Sequence, residues 1–200
     1  MRVNSPLKLL SEQRQAAIAN QDPSAKYCTF ATLEEQRPSQ VRMRTLVVRE
    51  ISSESCLLFV NRFSQKNLTN LSGLNAEALF FYPSLMSQFR MRGRLSLMKA
   101  SALEEHWHNK PYESKLLDHY YARYQAQSTA ICDRASLEDA MAQLRTIYPK
   151  PDEVPFIEDA LGLLITADYL EVWQAHDSGI HDRSLFTKCA SGWAEKVLVP

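Results

Sequence analysis

The chain has 200 residues, 45% of them hydrophobic, with 23 Lys and Arg balanced by 23 Asp and Glu. That length suits one domain with a real core, and the formal net charge of zero excludes the basic excess of a general nucleic-acid or membrane-surface binder. Cys28, Cys56, Cys132 and Cys189 are widely spaced, so they form neither a zinc ribbon nor a redox motif and read as free thiols of a reducing compartment.

The opening MRVNSPLKLLSEQRQ lacks the apolar core of a signal peptide. No stretch reaches the ~18 apolar residues of a membrane span, so a cytoplasmic protein is expected. Residues 7–20 read as a short amphipathic helix, and YCTFATL (27–33) reads as a strand. QVRMRTLVVREI (40–51) is a long strand rich in Val, Thr and Leu. CLLFVN (56–61) follows a polar turn and pairs with it as a hairpin. Ser64 then looks like an N-cap, with Leu68 and Leu71 at helical spacing and Gly73 as the terminator. EALFFYP and MSQFRMRGRLSLM are two further strands joined around Pro83-Ser84.

From residue 101 to 147 the pattern turns helical, in ALEEHW, SKLLDHYYARYQ and SLEDAMAQLRTIY. Ser136 with Asp139 resembles a capping arrangement. PKPDEVP (149–155) is a connector, after which LGLLITADYLEVWQA, SLFTKCA and AEKVLVP restore strand character. Mostly antiparallel strands with an early crossover helix, a helical insertion and closing strands predict a small barrel with helices packed outside. A barrel would unite both strand sets in one domain.

Four stretches carry chemistry. In FVNRFSQKNLTNL (59–71), Arg62 and Lys66 bracket a helix start, where the helix dipole disfavours cations. Either both side chains swing into water, or an anion sits on the helix start and the cations help hold it. In SQFRMRGRLSL (87–97), Gln88, Arg90, Arg92 and Arg94 share one strand face. That face is either solvated or a wall for an anionic ligand. Arg42 and Arg44 share a face of the 40–51 strand, with Arg49 on the other. In YLEVWQAHDSGIHDR (169–183), Trp173 either fills core or packs on a planar ring. His181-Asp182-Arg183 is either a surface turn or an acid–base group titrating near neutrality. His106 and His108 point about 200° apart on a helix, so they cannot share a metal, and none is expected.

In this order and spacing, RTLVVRE, LLFVNRFSQK, SQFRMRGRL and YLEVWQ…HDRSLF resemble the pyridoxamine 5'-phosphate oxidase family over about residues 25–200. The resemblance implies an α+β, mainly β fold: an FMN-binding split β-barrel in a single domain (1–200). An N-terminal helix lies within 1–24, and the helical insertion 101–148 packs outside. It implies a homodimer with FMN at the subunit interface.

The resemblance further implies FMN contacts from Arg44, Thr45, Arg49, Phe59, Val60, Ser64, Gln65, Lys66, Gln88, Gln127, Ser128, Trp173 and Arg183. Lys66 matches the family's phosphate-binding lysine. Arg49 and His181 match catalytic positions, and His106, Lys110, Ser114 and His181 match substrate positions. The chain departs from the family at Gln65, Lys110 and Gly179, where Arg is usual, and at His106, where Tyr is usual. Arg49 stands for a usual Lys. Lysine lacks the guanidinium fork. A flavin site retained beside an altered substrate pocket is therefore expected, in an oxidoreductase resembling pyridoxamine or pyridoxine 5'-phosphate oxidase. The alternatives are an FMN oxidoreductase of another small molecule, and a non-catalytic flavin or haem binder.

Overall fold

Strand β1 (Tyr27–Glu34) buries Cys28, Phe30 and Thr32 and exposes Tyr27 and Leu33, the period-two pattern of a sheet with one face in a core. The computed structural model describes residues 5–34, 40–61, 72–98, 103–157 and 160–200. The remaining strands are β2 (Gln40–Ile51), β3 (Ser55–Asn61), β4 (Asn75–Tyr82), β5 (Ser87–Met98), β6 (Ala160–Gln174), β7 (Asp182–Cys189) and β8 (Gly192–Val197). Among the described residues these eight form one sheet in the order β3-β2-β1-β4-β5-β6-β7-β8, and β3 also pairs with β6. That extra pairing closes the first six into a barrel, as expected, and removes its open edges. β7 and β8 extend beyond the closure. The expected hairpin is the antiparallel pair β2–β3, and the turn at Pro83–Leu85 joins β4 to β5.

The chain divides into two compact units, Met1–Phe59 with Ser72–Ser96 and Leu163–Pro200, and Val60–Leu71 with Leu97–Gly162. The barrel core of the first holds Phe30, Leu58, Phe80, Tyr82, Phe89, Met91 and Leu95, all essentially inaccessible. Each of the Phe, Leu and Met side chains contributes ~1.5–3 kcal/mol by leaving water. Gly93 takes an inward position of β5. A Cβ there would lie 2.1 Å from the Thr166 carbonyl oxygen and 2.9 Å from the Ala167 Cα, so only glycine lets β6 cross this close.

Helix α1 (Pro6–Ala19) begins at Ser5, whose side chain accepts from the Leu7 N–H, and Pro6 supplies a pre-set first turn. Leu7, Leu10 and Ala17 are buried. Arg14 ties the helix to the barrel by donating from Nε to the Ala25 carbonyl (2.9 Å) and from Nη2 to the Val48 carbonyl (2.9 Å). The helix expected from Ser64 lies outside the described residues. Gly73, its expected terminator, is left-handed at φ 83°.

The second unit contains α2 (Glu104–His108), α3 (Tyr112–Arg123) and α4 (Arg134–Ile147). Its core is Trp107, Leu116, Tyr120, Met141, Leu144 and Val154. The cap of α4 is Asp133, which accepts from the Ser136 N–H. The helix therefore starts before Ser136, and the expected Ser136–Asp139 arrangement is not its cap. An Asp at this position offers a charged acceptor to the free N–H groups, which suits the helix dipole.

Four side chains hold the proline-rich connector by its carbonyls. Tyr112 donates to Tyr148, Lys115 to Pro151, Trp107 to Val154 and His119 to Pro155, at 2.6, 3.0, 3.1 and 2.9 Å. Donation from His119 Nε2 fixes the proton on that nitrogen. Burial, with Arg123 nearby, lowers the His119 pKa against the raising effect of the Pro155 bond and Asp118. A depressed folded pKa favours neutral imidazole in the native state. The stabilising contribution is therefore complete above the unfolded value near 6.5 and is lost as pH falls through the lower folded value. The protection factors of the α3 amides, taken relative to intrinsic exchange at each pH, are expected to fall between pH 7 and 5, and His119→Gln should flatten that pH dependence. An equal slope in the variant would assign the acid sensitivity to another group.

Among the described residues no helix is long and apolar enough to cross a membrane.

Candidate functional site

Register first decides which way the basic strand residues point. On β2, Arg44 lies opposite Phe30 and Arg42 opposite Thr32. Both therefore share the face of two buried β1 residues, while Thr45 lies opposite Thr29 on the other face. The β2–β3 register slips between Val48 and Glu50, which pair with Leu58 and Leu57. Arg49 is the extra residue of this bulge, a device that re-aims a side chain and sharpens the local twist. Its guanidinium carbon lies 4.7 Å from the Phe59 ring centroid, within cation–π range. The structure thus joins Arg49 and Phe59. Strand alternation alone does not reveal the bulge.

A second cluster stands on the β6–β7 hairpin, where Trp173 is the register partner of Arg183. The Trp173 and His181 rings lie 4.9 Å apart, tilted by 59°. His181 Nδ1 accepts from the His176 backbone N–H at 3.2 Å. The proton of the neutral ring then sits on Nε2, leaving that nitrogen a donor. The hairpin is anchored at the β4–β5 turn. Gln174 Nε2 donates to the Leu85 carbonyl (2.9 Å) and the Ala175 N–H to Met86 (3.0 Å). Gln88, expected to touch the cofactor, is half-buried at the start of β5, opposite Phe81.

Beneath this cluster lies a charge network that the motif reading missed. Glu171 is 5% exposed. Its carboxylate accepts from Arg183 Nη2 (2.6 Å), the Tyr169 hydroxyl (3.0 Å) and Arg90 Nη1 (3.3 Å). Arg90 also reaches Glu77 at 2.7 Å. Burial pushes the Glu171 carboxyl up, but the Arg183 and Tyr169 hydrogen bonds and the two guanidinium charges outweigh it, so its pKa is lowered. Arg92 pairs with Asp168 at 3.3 Å and lies over the Tyr169 ring. Arg90 and Arg92 are thus matched with carboxylates rather than forming an unopposed wall for an anion. An acid in the otherwise apolar LEVW run, two residues before Trp173, was the available signal, because period two puts 169, 171 and 173 on one face.

In the second unit Lys110 forms an ion pair with Asp118, the two side chains being only 13% and 8% exposed. The Lys110 ammonium also lies 5.4 Å from the Trp107 ring. Lys110 is therefore already engaged by an acid eight residues on, which its match to a substrate position does not reveal. Gln127 hydrogen-bonds the Tyr121 phenol, and Ser128 adopts a left-handed backbone, φ 67°. His106 and Ser114 are half-buried on α2 and α3, and Val60 is half-buried in β3. Ser64, Gln65 and Lys66 lie outside the described residues. Gly179 is left-handed at φ 79°, with nothing among the described residues within 4 Å of where a Cβ would stand.

The residues of the first unit fit a planar anionic cofactor by their chemistry. They offer guanidinium groups beside aromatic rings, and a buried Arg183 Nε without a hydrogen-bond partner among the described residues. The fold is a split β-barrel, and its likeness to solved structures bears this out. A structure titled PhzG from Burkholderia lata 383, in complex with tetrahydrophenazine-1-carboxylic acid, superposes with a TM-score of 0.83 at 18% identity, covering 99% of this chain and 94% of that one. A pyridoxamine 5'-phosphate oxidase-related, FMN-binding protein of Nostoc punctiforme PCC 73102 gives 0.75 at 17% identity, covering 100% of both chains.

Residues 8–99 match the family model described as the FMN-binding domain of pyridoxamine 5'-phosphate oxidase. A pyridoxine/pyridoxamine 5'-phosphate oxidase of Neisseria meningitidis serogroup C (strain 053442) is 30% identical over 157 residues, covering 78% of this chain and 72% of the relative. Its counterpart in Psychrobacter sp. (strain PRwf-1) is 28% identical over 186 residues, covering 93% and 84%. The chain belongs to the pyridoxamine 5'-phosphate oxidase family.

Proposed function

We propose that the protein binds FMN and is an FMN-dependent oxidoreductase related to pyridoxamine/pyridoxine 5'-phosphate oxidase, with an altered substrate pocket. The observation that carries the flavin reading is the constellation of Trp173, His181 and Arg183 on the β6–β7 hairpin, in a chain of this family. FMN, when bound, supplies the two-electron redox chemistry that side chains lack. Arg183 and the bulged Arg49 offer charge-assisted bonds, and Trp173 offers an aromatic face. His181 holds a proton at Nε2 toward a ligand. Lys66, with Ser64 and Gln65, is proposed as the phosphate end of the site, and Arg44, Thr45, Gln88, Gln127 and Ser128 as further cofactor contacts.

The altered pocket rests on Gly179 and on Lys110, whose charge is matched by Asp118. The cytoplasm is the proposed compartment. A homodimer is supported by the outer face of β1 and β2, where Leu33 lies opposite Val41 and Ala31 opposite Met43. Leu33, Val41 and Met43 are 51%, 66% and 65% exposed, an apolar strip of the kind that marks interaction surfaces.

Titration of the purified protein with FMN, followed by flavin fluorescence, tests the reading. Saturable quenching is expected for the wild type and its loss for Lys66→Glu, with light scattering at twice the 22.9 kDa chain mass. A colourless protein that takes up no FMN would overturn the reading, and a Soret band would favour haem. Unchanged affinity in Lys66→Glu would remove that residue from the phosphate site.

A further inference from the structure

We infer that Glu171 is a positioning residue for the cofactor, fixing the Arg183 guanidinium in the orientation that receives the flavin. The inference rests on the proposed role of Arg183. Its own basis is the geometry of one buried carboxylate. Glu171 Oε1 takes Arg183 Nη2 at 2.6 Å, and Oε2 takes Tyr169 and Arg90 at 3.0 and 3.3 Å. On its other side Arg183 donates from Nη1 to the Val199 carbonyl at 3.2 Å. The guanidinium is therefore held between a buried acid and the backbone beyond β8, and the Leu198 N–H bonds back to the Arg183 carbonyl at 2.9 Å. A long arginine side chain fixed by such a fork has little rotamer freedom left to lose when a ligand arrives.

Two physical effects of Glu171 oppose each other, and this makes the idea testable by sign. The carboxylate repels a bound anion, so its neutralisation by itself would tighten FMN. It also fixes Arg183, so its loss frees the guanidinium and loosens FMN. A carboxylate this buried and this fully hydrogen-bonded has its charge balanced by Arg90 and Arg183, which leaves positioning as the larger effect.

Glu171→Gln keeps the shape and removes the charge-assisted bond. Its FMN dissociation constant is expected to rise about tenfold. In an Arg183→Met background the same change is expected to cause no further loss of affinity, because the group it positions is gone and only the relief of charge repulsion remains. Tyr169→Phe, which removes one donor to Glu171, should weaken FMN by about twofold to threefold and provides the test if Glu171→Gln does not fold. Flavin fluorescence titration reads the affinity, and thermal melts of the FMN-free proteins separate lost affinity from lost fold. Affinity equal to or above wild type in Glu171→Gln, or a loss that persists in the Arg183→Met background, would overturn the inference alone. Absence of FMN uptake by the wild type would overturn the flavin reading and this inference with it.

Discussion

Gly93→Ala is expected to destabilise the barrel by about 3 kcal/mol or more, near the upper end of what overpacking a closed core costs. The new methyl carbon would stand 2.1 Å from the Thr166 carbonyl oxygen and 2.7 Å from its carbon. Both atoms are backbone, so no side-chain rotation relieves the clash, and β6 would have to move off β5. For a domain of this size the melting temperature should fall by roughly 6–12 °C. Gly179→Ala is the control. It has open space but a left-handed φ of 79°, so its cost is the backbone strain of about 1–2 kcal/mol. Urea unfolding of both variants gives the comparison. A Gly93→Ala protein as stable as the wild type would show that β6 is not pressed against β5 at this point.

Oxidation of pyridoxamine 5'-phosphate or pyridoxine 5'-phosphate is expected to run roughly tenfold to a hundredfold below a typical family oxidase in kcat/KM. One charged hydrogen bond contributes about 1.5–3 kcal/mol, and a loss of that size in the transition state gives this range. At position 179 glycine supplies no guanidinium. At position 110 the ammonium is held by Asp118, with both side chains largely buried, so a substrate phosphate must compete with a carboxylate for it. Gly179→Arg is expected to recover only part of the activity. The side chain has room, but φ 79° is unfavourable for any residue with a Cβ. Oxygen consumption under steady state, with both substrates, measures the outcome. Efficiency equal to a typical oxidase would show that the missing arginine is supplied from elsewhere.

What the sequence determined by itself is the set of strands and the expectation of a mainly antiparallel, barrel-class fold. Alternation is local, so β2 could be read from Val, Thr and Leu spacing and is found at Gln40–Ile51. The turn at Pro83-Ser84 and the helices of the second unit were legible for the same reason, down to within a few residues at their ends. The cap of α4 was misread because Ser136 and Asp133 are both good capping residues, and only the backbone shows which one accepts. The proposed site residues Trp173, His181 and Arg183 stand in one motif because a hairpin keeps them close in sequence.

Tertiary structure alone decided the rest. Barrel closure by β3 and β6, and the approach of β6 to Gly93, join segments whose order in sequence does not state their spacing. The Arg49 bulge is a mismatch between two strands and belongs to neither. Arg90 was read as a possible anion contact because its partner Glu171 lies 81 residues away. Lys110 matches a substrate position by resemblance, and its pairing with Asp118, eight residues on, depends on the turn into α3 that brings the two together. A buried charge must find its counter-charge, and which acid meets which base depends on the packing that the whole chain adopts.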